Sequence, residues 1–257
     1  MTRILVTNDD GLRTSGIAAL AQALALLGEV YVVAPEDESS AIGHALTLRR
    51  PLRIRQVSER WFGVDGTPTD CINIGINRIL EGVPDLVVSG INEGWNLGDD
   101  ITYSGTVAGA LEGVLLGAPG MAVSRPRVRG DYDYETVTTA AGHLARSILE
   151  DGLPPRTFLN VNVPRRQPQG FKVTVQARRQ YTTAVAESCD PRGRPYYWIE
   201  KAQLDWEPDA RSDYHAVRNG WISVTPLHPD WTAHEAAGAV GRLLDRRQAE
   251  ALERVFQ

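Results

Sequence analysis

The sequence predicts an α/β fold: a Rossmann-like, mostly parallel sheet in three layers, with a β-hairpin-rich excursion toward the C-terminus. Two observations carry that prediction. Short β-rich apolar runs alternate with segments of helical periodicity as far as Pro164. The alternation then breaks into short strands separated by Arg, Pro and Gly. Strand-helix alternation implies parallel strands with right-handed crossovers, and the helices then cover both faces.

The elements follow in chain order. Ile4 to Thr7 is the first strand, and Ile17, Leu20, Ala21, Leu24 and Leu27 recur at helical spacing until Gly28 stops them. Val30 to Ala34 reads as a buried strand ended by Pro35, which completes one βαβ unit. A helix is predicted around Thr69 to Leu80, a strand at Leu86-Val87-Val88, and a helix from Val107 to Leu116. Met121-Ala122-Val123, a helix over Tyr134 to Leu149, and Phe158 to Val161 continue the series. From Phe171 to about Trp206, alternating strands at Val173, Val175 and Tyr196 to Ile199 read as hairpins projecting from the core. Trp221 to Val224 is predicted to return as a core strand, and Ala236 to Val255 as an amphipathic helix. The expected organisation is a single domain over 1–257, its core 1–164 plus 221–257, with 165–220 as an excursion used for oligomerisation.

Composition narrows the function. Among 257 residues, 27 Lys and Arg stand against 32 Asp and Glu, a net charge of −5, which argues against partners such as nucleic acid or an anionic membrane surface. No apolar run reaches the roughly 18 residues of a membrane span, and the opening Met1-Thr2-Arg3 lacks the build of a signal peptide. Two cysteines are too few for a disulfide scaffold and no Cys/His cluster has zinc spacing. A cytoplasmic protein is expected.

In an open α/β sheet, ligands bind beyond the carboxyl ends of the strands. Three predicted loops lie there. Asn8-Asp9-Asp10-Gly11 follows the first strand, and two neighbouring carboxylates repel each other unless a cation or proton lies between them. The loop after Pro35 carries Ser39, Ser40, Gly43 and His44, of which His44 could approach the site. The third runs from Ser89 to Asp100 with Asn92 and Asn96, and then reaches Ser104-Gly105-Thr106 at a helix N-terminus, a seat for phosphate. Asp9, Asp10, the Ser40 hydroxyl and the Asn92 amide together make an all-oxygen shell suited to magnesium or manganese. A metal beside an anion seat suggests phosphate-ester hydrolysis, with Asn96 and the 104–106 turn holding phosphate oxygens and Asp9 helping to deprotonate water.

Taken together, Asn8-Asp9-Asp10-Gly11, Val33-Ala34-Pro35 leading to Ser40, Asp65 to Cys71, Ser89-Gly90-Ile91-Asn92-Glu93-Gly94 and Tyr103 to Val107 resemble the SurE family, the survival-protein 5′/3′-nucleotidases. The resemblance runs from the first strand to about Gly120, with an echo at Val224 to Leu227. It implies a 5′-nucleotidase dependent on one divalent ion per subunit, magnesium or manganese, acting on nucleoside 5′-monophosphates and on 3′-monophosphates, in a homodimer or homotetramer. The family's metal ligands fall on Asp9, Asp10, Ser40 and Asn92, with Ser39 the alternative should the loop be offset by one residue.

Rival readings fit less well. A phosphoacceptor receiver needs an aspartate where Ser89-Gly90 ends the third core strand, and a dinucleotide enzyme would meet acids where its pyrophosphate should lie. Gly11 and Gly16 have phosphate-loop spacing, but Ile17-Ala18 follow in place of Lys-Ser/Thr. The adjacent acid pair also lacks the Asp-x-Asp spacing of covalent phosphatases. The alternative of another class is a non-catalytic regulatory or partner-binding module. Asp65, Asp70, Asp99 and Asp100 are expected to hold loops through backbone hydrogen bonds.

Overall fold

The structure, a computed structural model, describes residues 1–127, 134–180, 183–201 and 205–244. In chain order, β1 (Arg3–Thr7), α1 (Ser15–Leu24) and β2 (Glu29–Pro35) form the first crossover unit. β3 (Ile54–Ser58), β4 (Trp61–Val64) and α2 (Pro68–Ile74) follow, then β5 (Leu86–Asn92), α3 (Gly105–Leu115) and β6 (Gly120–Ser124). Next come α4 (Tyr134–Asp151), β7 (Phe158–Asn162), β8 (Phe171–Val173) and the two-residue β9 (Arg179–Gln180). β10 (Thr183–Cys189), β11 (Pro195–Lys201), β12 (Asp205–Trp206), α5 (Asp213–Arg218) and β13 (Ile222–Leu227) complete the first compact unit, which ends at Leu227.

Nine strands share one sheet in the order β3-β4-β2-β1-β5-β6-β7-β13-β8. Its inner strands from β4 to β7 are parallel, whereas β3 pairs antiparallel with β4 and β13 antiparallel with β7. The architecture is the expected Rossmann-like α/β arrangement. After β1 the chain moves to β2 on one side, and it later returns to β5 on the other. The order therefore reverses between β1 and β5, and the loops leaving these two strands flank the crevice where such sheets bind ligands.

Alternation along β1 decides the layers. Ile4 and Val6 pack with Ile17, Leu20, Val137 and Ala141 of α1 and α4, while Leu5 joins Val33, Cys71 and Ile72 on the α2 side. α3 lies beside α2 and rests on β5, β6 and β7. Its approach is close because it turns glycines to the sheet: a Cβ at Gly113 would stand 2.8 Å from Val87.

Three sequence expectations need correction. The helix predicted to Leu80 ends at Ile74, and Gly75–Ile79 continues as a π-helical turn. Gly75 there sits so near Leu5 that a Cβ would come within 2.8 Å of its side chain, and the wider turn lets the backbone stay in contact. Phe171–Val173 does not project, because β8 joins the main sheet parallel to β13. Val175 contributes only an isolated bridge to Ser212. The projecting ribbon is β10–β11, paired from Thr183↔Lys201 to Cys189↔Pro195.

The second compact unit, His228–Gln257, contains a 3-10 turn at His234–Ala236 followed by a helical segment over 237–244. The rest of the helix predicted to Val255 lies outside the described residues. Among the described residues, no helix is long and apolar enough to cross a membrane.

The α3 contact yields a stability test. Replacing Gly113 with Ala inserts a methyl where Val87 already lies, and the urea midpoint should fall by the equivalent of about 1–3 kcal/mol. An unchanged midpoint would mean that the close helix-sheet approach is not needed.

Candidate active site

The loop after β1 is shaped by its first residue. Asn8, fully buried, donates from Nδ2 to the Gly11 carbonyl and to Thr14 Oγ1, each at 3.0 Å, and its Oδ1 accepts the Gly11 N–H at 3.2 Å. Gly11 closes the turn at φ +102°, a left-handed conformation that a side chain would strain. The two aspartates held in this turn have different surroundings. Asp9 is 5% exposed, and its Oδ1 accepts the Thr106 hydroxyl at 2.5 Å. Gly105 lies against the same carboxylate, where a Cβ would come 2.8 Å from Asp9 Cβ. Glycine is therefore required sterically at the first turn of α3.

Asp10 accepts a backbone hydrogen bond from Glu93, while its Oδ2 is buried without a hydrogen-bond partner. It lines a cleft of about 590 Å³ together with Arg13, Thr14, Glu38, Glu93 and Tyr134. Burial raises the carboxyl of Asp10 to about 7, aided by the charges of Asp9, Glu93 and Glu38. Burial also raises Asp9, against the lowering effect of the Thr106 hydroxyl. An orphaned buried carboxylate oxygen beside a second acid fits a cation. Among the described residues, no three His, Cys, Asp or Glu side chains group as a metal would need, so a cation at this pair has to complete its shell with neutral oxygens.

The remaining predicted residues are placed around this pair as follows. Asn92 ends β5 at a register shift against β6, and its Nδ2 donates to the Gly94 carbonyl at 2.9 Å. Ser40 is exposed, and its hydroxyl donates to Glu38 at 2.7 Å. Ser39 meets the site through its backbone, its N–H donating to the Asp9 carbonyl at 2.8 Å. Ser104 caps α3, its Oγ accepting the Val107 N–H at 3.1 Å. Asn96 is buried in an asparagine cluster: its N–H donates to Asn162 Oδ1, its carbonyl accepts from Asn160 and Asn162, and its Nδ2 donates to Ser124. One of the two hydrogens of its amide nitrogen is thus committed to Ser124.

Several supporting residues escaped the sequence reading. Asn160 and Asn162 face one side of β7 with none of their area exposed, and their period-two spacing was the available signal. Asp213 has no comparable signal. It is fully buried, raised by that burial, and accepts N–H groups from Gly98 and Ala177, which ties the third loop to α5. The loop acids mostly act on the backbone: Asp65, Asp70 and Asp99 each accept an N–H, from Arg53, Thr47 and Arg179. Asp100 differs, since its partner is the Arg179 guanidinium, because that side chain lies buried against the loop.

The sequence and the overall fold are similar to those of known proteins. The model of the family described as survival protein SurE matches residues 4–183. The chain belongs to the SurE family. The "5'-nucleotidase SurE" of Syntrophotalea carbinolica is 54% identical over 233 residues, 89% of this chain and 92% of that protein. That of Geotalea uraniireducens is 49% identical over 243 residues, 93% and 98% of the two chains. The crystal structure of the SurE protein from Aquifex aeolicus superposes with a TM-score of 0.84 at 44% identity and covers 94% of this chain and 99% of that one. The similarity of fold therefore extends over most of the chain, beyond residues 4–183 that the family model matches.

The crowding of Asp10 can be measured without metal. Because its folded-state pKa lies above that of an exposed carboxyl, ionising it costs the folded protein stability, and the cost grows as pH rises from about 4 to about 7. Asp10→Asn should therefore stabilise the chelator-treated protein at pH 8 by about 1 kcal/mol after solvent screening, and by less at pH 5. Thermal unfolding of both proteins at the two pH values checks this; an equal difference at both would contradict it.

Proposed function

We propose that the protein is a divalent-metal-dependent phosphomonoesterase that hydrolyses nucleoside 5′-monophosphates, and 3′-monophosphates as well, to nucleoside and phosphate. The observation that carries this reading is the Asp9–Asp10 pair set against the first turn of α3, acids for a cation beside a backbone donor for a phosphate. The family relatives named as 5′-nucleotidases support the substrate class.

In this reading Asp9, Asp10, Ser40 and Asn92 hold one magnesium or manganese ion, all through oxygen. The ion, when bound, neutralises phosphoryl charge and acidifies water. Every other task falls to the chain. Thr106 Oγ1 holds Asp9 toward the reacting phosphate, where the carboxylate can take the proton of the attacking water. Thr106 N–H turns to Asp9 and Val107 N–H to Ser104, so the Gly105 N–H is the donor left at this helix end for a phosphate oxygen. Ser104 and Thr106 thus bind phosphate chiefly by shaping that end. Asn96, locked to Asn160, Asn162 and Ser124, keeps the third loop folded over the site.

The β10–β11 ribbon supports a homodimer or homotetramer. Val185, Tyr197, Trp198 and Ile199 are more than half exposed on it, and apolar groups on both faces of a two-stranded ribbon call for a protein partner. The acidic net charge favours neither nucleic acid nor membrane as a partner.

The purified protein should release phosphate from adenosine 5′-monophosphate with manganese or magnesium and cease to do so with excess chelator. Asp9→Asn should lower turnover at least about 100-fold while the variant stays folded. Undiminished turnover in chelator would refute the metal-dependent reading.

A further inference from the structure

The segment between β2 and β3 crosses the site as a strap, and its anchoring is more specific than a surface loop requires. At one end the Ser39 N–H donates to the Asp9 carbonyl at 2.8 Å. Between Ser40 and His44 the backbone makes a tight turn with two left-handed residues, Ala41 at φ 57° and Gly43 at φ 58°. The Gly43 N–H donates to the Tyr103 carbonyl at 3.1 Å. His44 Nε2–H then donates to Glu112 Oε2 at 2.7 Å. Beyond it, Thr67 Oγ1 donates to the Ala45 carbonyl at 2.7 Å, and Thr47 donates to Asp70 from both N and Oγ1.

Glu112 is the unusual member. It lies on α3 only 5% exposed, and its other oxygen accepts the Asn73 amide. A buried carboxylate is costly unless its oxygens are matched, and His44 supplies half of the match. Ala41 points the same way. A non-glycine residue in the left-handed region persists when the structure on both sides fixes it, and here the fixed points are Asp9 and Glu112. Both trace back to one helix, since α3 holds Asp9 through Thr106 and His44 through Glu112.

We propose that His44 is a positioning residue for the metal shell. Tied to Glu112, it sets the strained turn that carries Ser40, whose hydroxyl donates to Glu38 in this structure and would pass to a cation held by the Asp9–Asp10 pair, and α3 serves as the common gauge for both halves of the shell. This rests on the reading of Ser40, Asp9 and Asp10 as metal ligands. A histidine that only satisfies Glu112 would contribute to stability and leave cation affinity alone.

Titration of the full-length, chelator-stripped protein with manganese, followed by calorimetry, separates the two roles without reference to turnover. His44→Ala should weaken manganese binding about tenfold, in the range found when an outer-shell partner is removed. His44→Gln, whose Nε2 can reach the same Glu112 oxygen, should bring affinity back to within about twofold of the parent. In a Ser40→Ala background His44→Ala should have no further effect, because the histidine acts through that hydroxyl. Unchanged affinity in His44→Ala, or an equal loss with and without Ser40, would overturn the proposal. Asp10→Asn serves as the control: unchanged affinity there would instead remove the metal-site reading on which the proposal stands.

Discussion

Everything at the site depends on how closely the first turn of α3 meets the loop leaving β1. Asp9 reaches Thr106 at 2.5 Å only because Gly105 has no side chain to hold the helix away. Gly109 and Gly113 extend the same closeness along the helix, where added methyls would meet Thr7, Ser89 and Val87. The contact places a buried acid at the positive end of a helix, where the backbone partly offsets its charge. It also leaves Asp10 with an oxygen that the protein does not satisfy. The fold tolerates that cost at the topological switch of its sheet, where a ligand can return it.

The parts of the chain outside the central crossovers serve the same contact. The strap after β2 is fastened to α3 and to the start of α2, where Thr67 and Asp70 form a capping box with Pro68 in the first turn. From the other side, Asp213 at the start of α5 fixes Gly98, and Arg179 holds Asp99 and Asp100, so the third loop is gripped just ahead of Ser104. The short strand β9, α5 and the third loop of the candidate site are thus one hydrogen-bonded assembly.

Much of this was legible in the sequence because the relevant signals are local. Alternating apolar runs located β1, β2, β5, β6 and β7, and each predicted run falls within its observed strand. The acid pair and Asn92 stood out as polar residues beyond strand ends and Ser104-Gly105-Thr106 as a helix start, and the fold gathers the acids and the helix end. What stayed hidden depends on distant partners. Glu112 reads as an ordinary polar helix position, and only folding shows that it is buried against His44 and Asn73. The β3–β4 pair was missed because β3 is exposed along its whole length and has no apolar run to announce it. β13 was foreseen as a core strand, but its place between β7 and β8 is a matter of topology that periodicity does not encode.

The central claim is that Asp9 and Asp10 share a divalent cation at the N-terminal end of α3. The most direct measurement is anomalous diffraction at the manganese edge from crystals equilibrated with manganese. A peak within about 2.0–2.5 Å of carboxylate oxygens from both residues is the predicted result. A map with no peak between them, or with manganese bound only elsewhere on the chain, would contradict the account.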